Sequence, residues 1–561
     1  MDFKKLIAPQ PLPFDYDEWQ QKPFNERVLM LCRAWAIQGY GAPVAVYSFY
    51  ILKIAFYIGV WFYFCSFSEN LGSYHTIKTW WFQSDALCKA VLWSMLFESI
   101  GMGCGSGPLT ARYFPPFGAV FHFLRPGTIK MPLFPAVFKS DKRTILDVIL
   151  YIAFIFFLVK ALISTTITPI VLLPIIIVLP IAALFDKTIF LSARGEHYYI
   201  ALICFLFPLD AIPATKIVWL AIWFWAATSK LNRHFPSVIG VMISNSAILQ
   251  IPWLRKKMYI NFPDDLRASK LSKFLAHFGT IIEYAFPLML VFGNGGQITV
   301  IALVIMFFFH LYITSSIPMA VPLEWNFIMV YGAFVLFGNY ATVSIFSLHS
   351  LVLMLVLFIA VFLLPLLGNL FPKWVSFLVS MRYYAGNWAY SVWLFKKGTE
   401  EKLDDHIVKS THTVMKQLQF FYDEKTANSL ISKVIAFRAM HLHGRILQQV
   451  IPKMVDNIDD YIWRDGELVA GVVLGWNFGD GHLHDEQLLR AIQKRCNYES
   501  GELRCLFVEA QPVFNTCLHW RMVDAKDGML QEGNACVKDL EALQPWCCDE
   551  TVIANEVKQS Q

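Results

Sequence analysis

Residues 186–236 read DKTIFLSARGEHYYIALICFLFPLDAIPATKIVWLAIWFWAATSKLNRHFP. Two apolar segments, each expected to be about 17 residues long, flank the turn-forming run Asp210-Ala-Ile-Pro213. His197 opens the first segment and Lys230 closes the second. If both are helices joined by a tight turn, a rise of about 1.5 Å per residue puts their free ends at nearly one depth. The expectation is a hairpin presenting a histidine and a lysine at the same membrane face.

The rest of the chain supports a membrane setting. It has 561 residues, 56% hydrophobic and only 16% charged. A soluble protein of this size carries about a quarter charged residues. The apolar surplus is concentrated in long runs, and 48 Phe and 18 Trp suit lipid-facing surfaces and interfacial belts. The net charge of +5 is small. The basic residues flank apolar segments and form no aromatic-interleaved patch, so no nucleic-acid partner is expected. Residues 1–26 are polar and Pro-rich without an apolar signal-peptide core, so insertion is expected to rely on the first spanning helix.

Spans are expected near 44–67, 86–103, 145–165, 168–185, 197–213, 214–230, 276–293, 297–319, 322–345 and 348–371. Lys and Arg gather at the start of the chain, in the loops 104–144 and 231–275, and after 371. The alternate connections are nearly free of them. The positive-inside rule then predicts an all-α polytopic bundle of about ten transmembrane helices with both termini cytoplasmic. The loop 104–144, rich in Gly and Pro yet apolar, reads either as a re-entrant segment or as a structured loop on the headgroups.

Residues 372–398 (KWVSFLVSMRYYAGNWAYSVWLFKK) are amphipathic and aromatic and predict a surface helix. Beyond 399 the composition turns soluble. Helices are expected first, then strands over IWRDGELVAGVVLGWNF and GELRCLFVEAQPVF with the helix DEQLLRAIQKR between them, and a hairpin turning at Asp527-Gly528. VIANEVKQS resembles a translated bacterial interspersed repeat. The expected organisation is a cytoplasmic N-terminal segment and interfacial helix (1–43), a transmembrane domain (44–371), an amphipathic surface helix (372–398), a soluble cytoplasmic α+β domain (399–546) and a disordered tail (547–561). The 11 cysteines include no C-x-x-C, so free thiols are expected.

Ionisable residues inside apolar segments are costly and mark candidate sites. They are Glu98, Glu283, His310, His197 and Lys230. Glu283 and His310 lie on helices joined by a Gly-rich turn and fall within about 5 Å of one another in depth. They read as a proton relay or headgroup site, or as an interhelical hydrogen bond. Lys230 reads as a snorkelling residue or, in an apolar pocket, as a base, and His197 as an interfacial anchor or an oxyanion stabiliser. In the tail, His441-Leu-His443 and His482-Leu-His484 are short H-x-H units. On a strand such a unit can share a metal; on a helix its rings diverge, and no metal site is assigned.

FDKTIF, EHYYIALICFLFPLDA and WFWAATSKLNRHF, followed by FGTIIEYAFPLMLVFG and FFFHLYI, resemble the membrane domain of vitamin K-dependent γ-carboxylases within the horizontally transferred transmembrane (HTTM) family. The resemblance covers about residues 85–345. It implies a catalytic lysine base at Lys230, an active-site histidine at His197, functional Glu283 and His310, and a reduced quinone as a cofactor. Glu196 stands where the family has Asn, and Ser229 where it has a second lysine. GCGSGPLTARYFPPFG and GWNFGDGHLHDEQLLRAIQKRC resemble an uncharacterised bacterial multi-pass membrane family of unknown function. The expected function is a membrane-embedded enzyme of the bacterial inner membrane. It would act on a lipidic or quinone-like substrate by Lys/His acid–base chemistry, with membrane lipids and a hydrophobic small molecule as partners. The alternatives are a transporter or lipid-handling protein, or a scaffold with a cytoplasmic binding domain.

Overall fold

The computed structural model describes residues 3–104, 118–316, 323–382 and 385–546. Part of the 104–144 loop, Cys547, Cys548 and the 547–561 tail therefore lie outside the described residues. The membrane half is helical: α1 (Val44–Cys65), α2 (Ser84–Ser99), α3 (Ile145–Leu162), α4 (Pro169–Phe185), α5 (Tyr198–Phe205), α6 (Ala211–Ser229), α7 (Phe235–Asn245), α8 (Lys270–Phe292), α9 (Gln297–Thr314), α10 (Leu323–Ala333), α11 (Leu351–Leu357) and α12 (Leu364–Leu370). Among the described residues, six helices are long and apolar enough to cross a membrane: α1, α3, α6, α8, α9 and the continuous stretch Leu351–Leu370. The other expected spans are shorter: α2 has 16 residues, α4 17, α5 8 and α10 11. The last is extended by a π-helical stretch, Phe334–Asn339.

The helix ends follow local chemistry. Thr144 and Asp147 form a capping box at the start of α3, satisfying backbone N–H groups that have no intrahelical partner. Asp147 also binds Lys130 at 2.7 Å. Asp210, the turn residue between α5 and α6, accepts the backbone N–H groups of His349 and Ser350 at 2.9 Å each, fixing the entry to α11. Lys89 donates to the carbonyls of Phe64, Leu162 and Ser164 at 2.7, 2.9 and 3.1 Å. Lys216 does the same for Tyr340 and Val343 at 2.8 and 2.5 Å. Each buried ammonium meets the negative end of a neighbouring helix or turn, where free carbonyls are concentrated.

The remaining part carries a small hairpin, β1 (Tyr259–Asn261) with β2 (Asp265–Ala268), and a five-stranded antiparallel sheet. The sheet holds β3 (Tyr390–Lys396), β4 (Tyr461–Asp465), β5 (Leu503–Val508), β6 (Cys517–Asp524) and β7 (Gly528–Cys536) in the order β4-β3-β5-β6-β7. The same part holds helices α13 (Glu424–Met440), α14 (Arg445–Met454), α15 (Gly466–Val473) and α16 (Glu486–Cys496), with α14 packed on β5 and α15 on β3 and β4. Two expectations are corrected here. The surface helix over 372–398 is replaced at 390–396 by β3, an inner strand whose residues 390–395 are all buried. A continuous apolar run buried on both faces suits such a strand. The strand expected over 462–478 stops at Asp465, which caps α15 by accepting the N–H of Glu467 at 2.8 Å. Arg438 holds the carboxylates of both residues. The helix at 486–496 and the hairpin through Asp527-Gly528 form where expected.

The sheet does not stand apart from the membrane half. One hydrophobic cluster runs from Trp223 and Phe286 to Val392, Leu394 and Leu506. The tail stretch 475–484 makes the junction: the Arg194 guanidinium lies 5.4 Å from the Phe478 ring centroid, and Lys187 donates to the His482 carbonyl at 3.2 Å.

Candidate functional site

Lys230 follows α6 directly, as its C-terminal cap, and is 7% exposed. Its Nζ lies 2.5 Å from Glu283 Oε2, on the buried side of α8. The rings of Phe235 and Phe309 flank the ammonium, with centroids at 5.4 and 5.6 Å. Glu283 is partnered by Lys230, not by His310, although the two helices are neighbours as expected.

His310 has its own partners. Trp223 Nε1–H donates to His310 Nε2 at 3.1 Å, and His310 Nδ1–H donates to Asn326 Oδ1 at 2.8 Å. A carbonyl oxygen can only accept and an indole N–H can only donate, so these bonds fix a neutral imidazole with its proton on Nδ1.

Lys230, Glu283, His310, Trp223, Trp325 and Asn326 share one cavity of about 840 Å³ between α6, α7, α8, α9 and α10. Its other walls are mostly apolar, among them Ile239, Met242, Leu275, Phe278, Ile305 and Phe308, with Lys257 and Ser316 also lining it. A concave apolar chamber with a few converging polar groups is the usual form of a small-molecule site.

His197 is placed elsewhere. Helix α5 has only 8 residues against 19 in α6, so its rise is about 12 Å against about 28 Å. The equal-depth hairpin is therefore not formed. The short arm starts at His197 as expected but stops at Phe205, where the chain turns through residues 206–210 before α6. His197 accepts the Trp325 indole N–H on Nδ1 at 3.4 Å, with ring centroids 5.6 Å apart. Trp325 also stands 6.5 Å from the His310 ring. It thus separates His197 from the cavity that Lys230 lines. Glu196 pairs with Arg194 at 2.9 Å.

Glu98 belongs to a second buried group with Cys104 and Glu324, on the other side of Trp325's helix start. Glu324, Arg194 and Lys53 were not singled out from the sequence. Glu324 and Arg194 sit at helix edges, where charge is ordinary, whereas Lys53 lies in the middle of α1. In the tail, α13 ends at Met440, so His441 and His443 are not helical and their rings stack at 5.8 Å. Asp480 accepts the His482 N–H at 3.1 Å, and His482 Nε2 meets Glu509 Oε1 at 2.9 Å.

Fold and cavity together define a multi-pass helical membrane protein with an attached antiparallel sheet. The chain belongs to the family described as "transmembrane protein of unknown function (DUF3556)", the match running over residues 1–557. No curated protein and no solved structure is detectably similar to it.

Proposed function

We propose that this chain is a membrane-embedded enzyme that takes a lipidic or quinone-like molecule into the Lys230 cavity and moves a proton at its polar end. The observation that carries this reading is a largely apolar chamber on which the buried pairs Lys230–Glu283 and His310–Asn326 converge. The apolar walls suit a hydrocarbon or isoprenoid tail. The lysine–glutamate pair offers a donor and an acceptor within one hydrogen-bond length, the arrangement general acid–base catalysis requires. The neutral His310 keeps its ring fixed by two bonds and serves to orient. His197 contributes through Trp325, which it holds by the indole N–H.

The resemblance to the HTTM and carboxylase membrane domain supports the same residues and a reduced quinone as reactant. The basic loops support a bacterial inner-membrane location with cytoplasmic termini. A lipid-handling reading has one observation in its favour. Two π-helical stretches, Phe334–Asn339 and Phe358–Leu363, both pack on α6, and π-helical segments are frequent where helices move or bind.

The test is mass spectrometry of hydrophobic molecules that co-purify with the protein in mild detergent. The wild-type chain carries a defined amphiphile, and Met242→Trp, which fills the chamber, reduces it at least tenfold. Lys230→Met retains the molecule but shifts its composition toward the unreacted form. Equal amphiphile content in wild type and Met242→Trp sinks the cavity reading. Identical bound species in wild type and Lys230→Met sinks the chemistry.

A further inference from the structure

Glu98 closes α2, Cys104 follows on the turn beyond it, and Glu324 lies in the first turn of α10. One ligand atom from each lies within 4.8 Å of the others, and all three residues are buried. Cys104 Sγ is 3.1 Å from Glu98 Oε1 and 3.4 Å from Glu324 Oε1. In a tetrahedral site with bonds of about 2.0 to 2.3 Å, ligand atoms stand about 3.3 to 3.7 Å apart. The donors therefore already hold nearly the spacing that a small divalent ion sets.

The surroundings are those of an oriented donor set. The Cys104 backbone N–H donates to Glu98 Oε2 at 2.7 Å. That approach needs Gly103, where a Cβ would stand 2.0 Å from the same carboxylate oxygen. Lys53 Nζ lies 3.2 Å from Glu324 Oε2, and Arg194 Nη1 lies 3.6 Å from Cys104 Sγ. Such partners orient ligands from behind, as outer contacts do in metal sites.

One further atom points to a ligand. The hydroxyl of Tyr198, 2% exposed, has no hydrogen-bond partner among the described residues. Tyr198 interacts electrostatically with Glu98, Arg194 and Cys104. Buried polar atoms are left unpartnered only at a cost, and a bound ion or its water removes that cost.

We propose that Glu98, Cys104 and Glu324 bind a divalent transition metal of the zinc, cobalt(II) or iron(II) class. The thiolate excludes magnesium and calcium, which prefer all-oxygen shells, while two carboxylates suit a borderline ion. Three protein donors leave a coordination position open for water or a substrate oxygen. The site does not depend on the Lys230 cavity, from which Trp325, the residue after Glu324, separates it.

The experiment uses the full chain in detergent, stripped with chelator, equilibrated with Co²⁺ or Zn²⁺ and desalted. The expected result is about one metal per chain by elemental analysis, as for a site assembled by folding, with a thiolate-to-cobalt charge-transfer band in the near ultraviolet. Cys104→Ser and Glu324→Gln each lower retained metal at least tenfold, while Lys230→Met leaves it unchanged. Each variant is checked for wild-type elution and helical circular dichroism. Should Cys104→Ser fail to fold, the cobalt band of the wild type decides: cobalt retained without it overturns the proposal. Wild type that retains less than a tenth of an equivalent overturns it too, as does equal loading in wild type and a folded Glu324→Gln variant.

Discussion

Lys230 Nζ and Glu283 Oε2 meet at 2.5 Å inside the membrane half, with both residues buried. Removing one partner of such a pair strands the other charge in a poorly solvating site. Glu283→Gln is expected to cost about 3 to 5 kcal/mol, read as a lowered Tm in detergent. Replacing both residues by apolar ones, Lys230→Met with Glu283→Leu, removes the stranded charge and restores most of that loss. The double-mutant cycle then shows a large favourable coupling. A Glu283→Gln protein as stable as wild type would mean that the pair is solvated.

The Trp223–His310 bond at 3.1 Å gives a second expectation. Trp223→Phe keeps an aromatic ring against Phe286 and deletes the donor that His310 Nε2 needs. A buried acceptor left without its partner costs about 1 to 3 kcal/mol. The expected outcome is a Tm drop of that size, without loss of the helical circular dichroism signal. If the variant melts like wild type, the imidazole takes its second bond elsewhere and its orientation is not set by the indole.

A pH dependence follows from His482 and Glu509, in the tail, at 2.9 Å. Burial presses the imidazolium down, but the Glu509 and Asp480 carboxylates outweigh it and hold His482 up to about 10, against an ordinary 6.5. Burial likewise raises Glu509, yet the His482 charge holds it down to about 2, against an ordinary 4.5. A raised histidine contributes stability that is complete below 6.5 and lost as pH rises through its folded value. A depressed glutamate contributes stability that is complete above 4.5 and lost as pH falls toward its folded value. The two contributions are therefore complete together between about pH 4.5 and about pH 6.5. His482→Gln is expected to lower Tm most in that interval, with the gap closing as pH approaches about 10. A gap independent of pH would show that His482 acts through packing alone.

How far these sites could be read from sequence depends on what each residue must touch. Apolar length alone located α1, α3, α6, α8 and α9, because a spanning helix satisfies its own backbone. Lys230, Glu283 and His310 stood out because a charge in an apolar run needs a reason. Their partners did not follow, since Glu283 is set by the rotation of α8 against α6, which no spacing within one helix encodes. The roles of Lys89 and Lys216 are not legible in the sequence because both bind carbonyls of other segments. The depth of His197 is not legible because the chain leaves the helix at Phe205 and turns through Leu206-Phe-Pro-Leu-Asp210, a run that reads as a continuation of the apolar segment. β3 reads as a surface helix because its strand begins inside an aromatic run whose flanking lysines suggest an interface. The Glu98–Cys104–Glu324 group was out of reach, since its members lie on α2, the turn after it and α10.

The last expectation concerns Cys517 and Cys536, which face one another across β6 and β7 with Sγ atoms 2.7 Å apart. Val537 N–H donates to Thr516 carbonyl at 2.9 Å, so the neighbouring cysteine pair occupies a non-hydrogen-bonded position, where side chains approach most closely. That geometry brings the Cα atoms within the range a disulfide requires. Cys536 is exposed, and the hydrogen bond with the Cys517 thiol, with some burial, pushes it up to about 11. With a low-molecular-weight disulfide as oxidant, the Cys536 thiolate attacks and releases one reagent thiol. Cys517 then displaces the second, and the protein loses two hydrogens. The rate is expected to climb with pH as the thiolate fraction grows. The bond closes a loop over a separation of 19 residues, so the oxidised protein gains about 3 kcal/mol at most. It also stiffens the link to Glu541, which binds Arg233 at 2.9 Å and Lys273 as well. Peptide mapping after oxidation should show the Cys517–Cys536 pair, and Cys517→Ser should stop at the mixed disulfide on Cys536. Oxidation that yields only mixed disulfides in the wild type would show that the strands do not hold the two thiols in register.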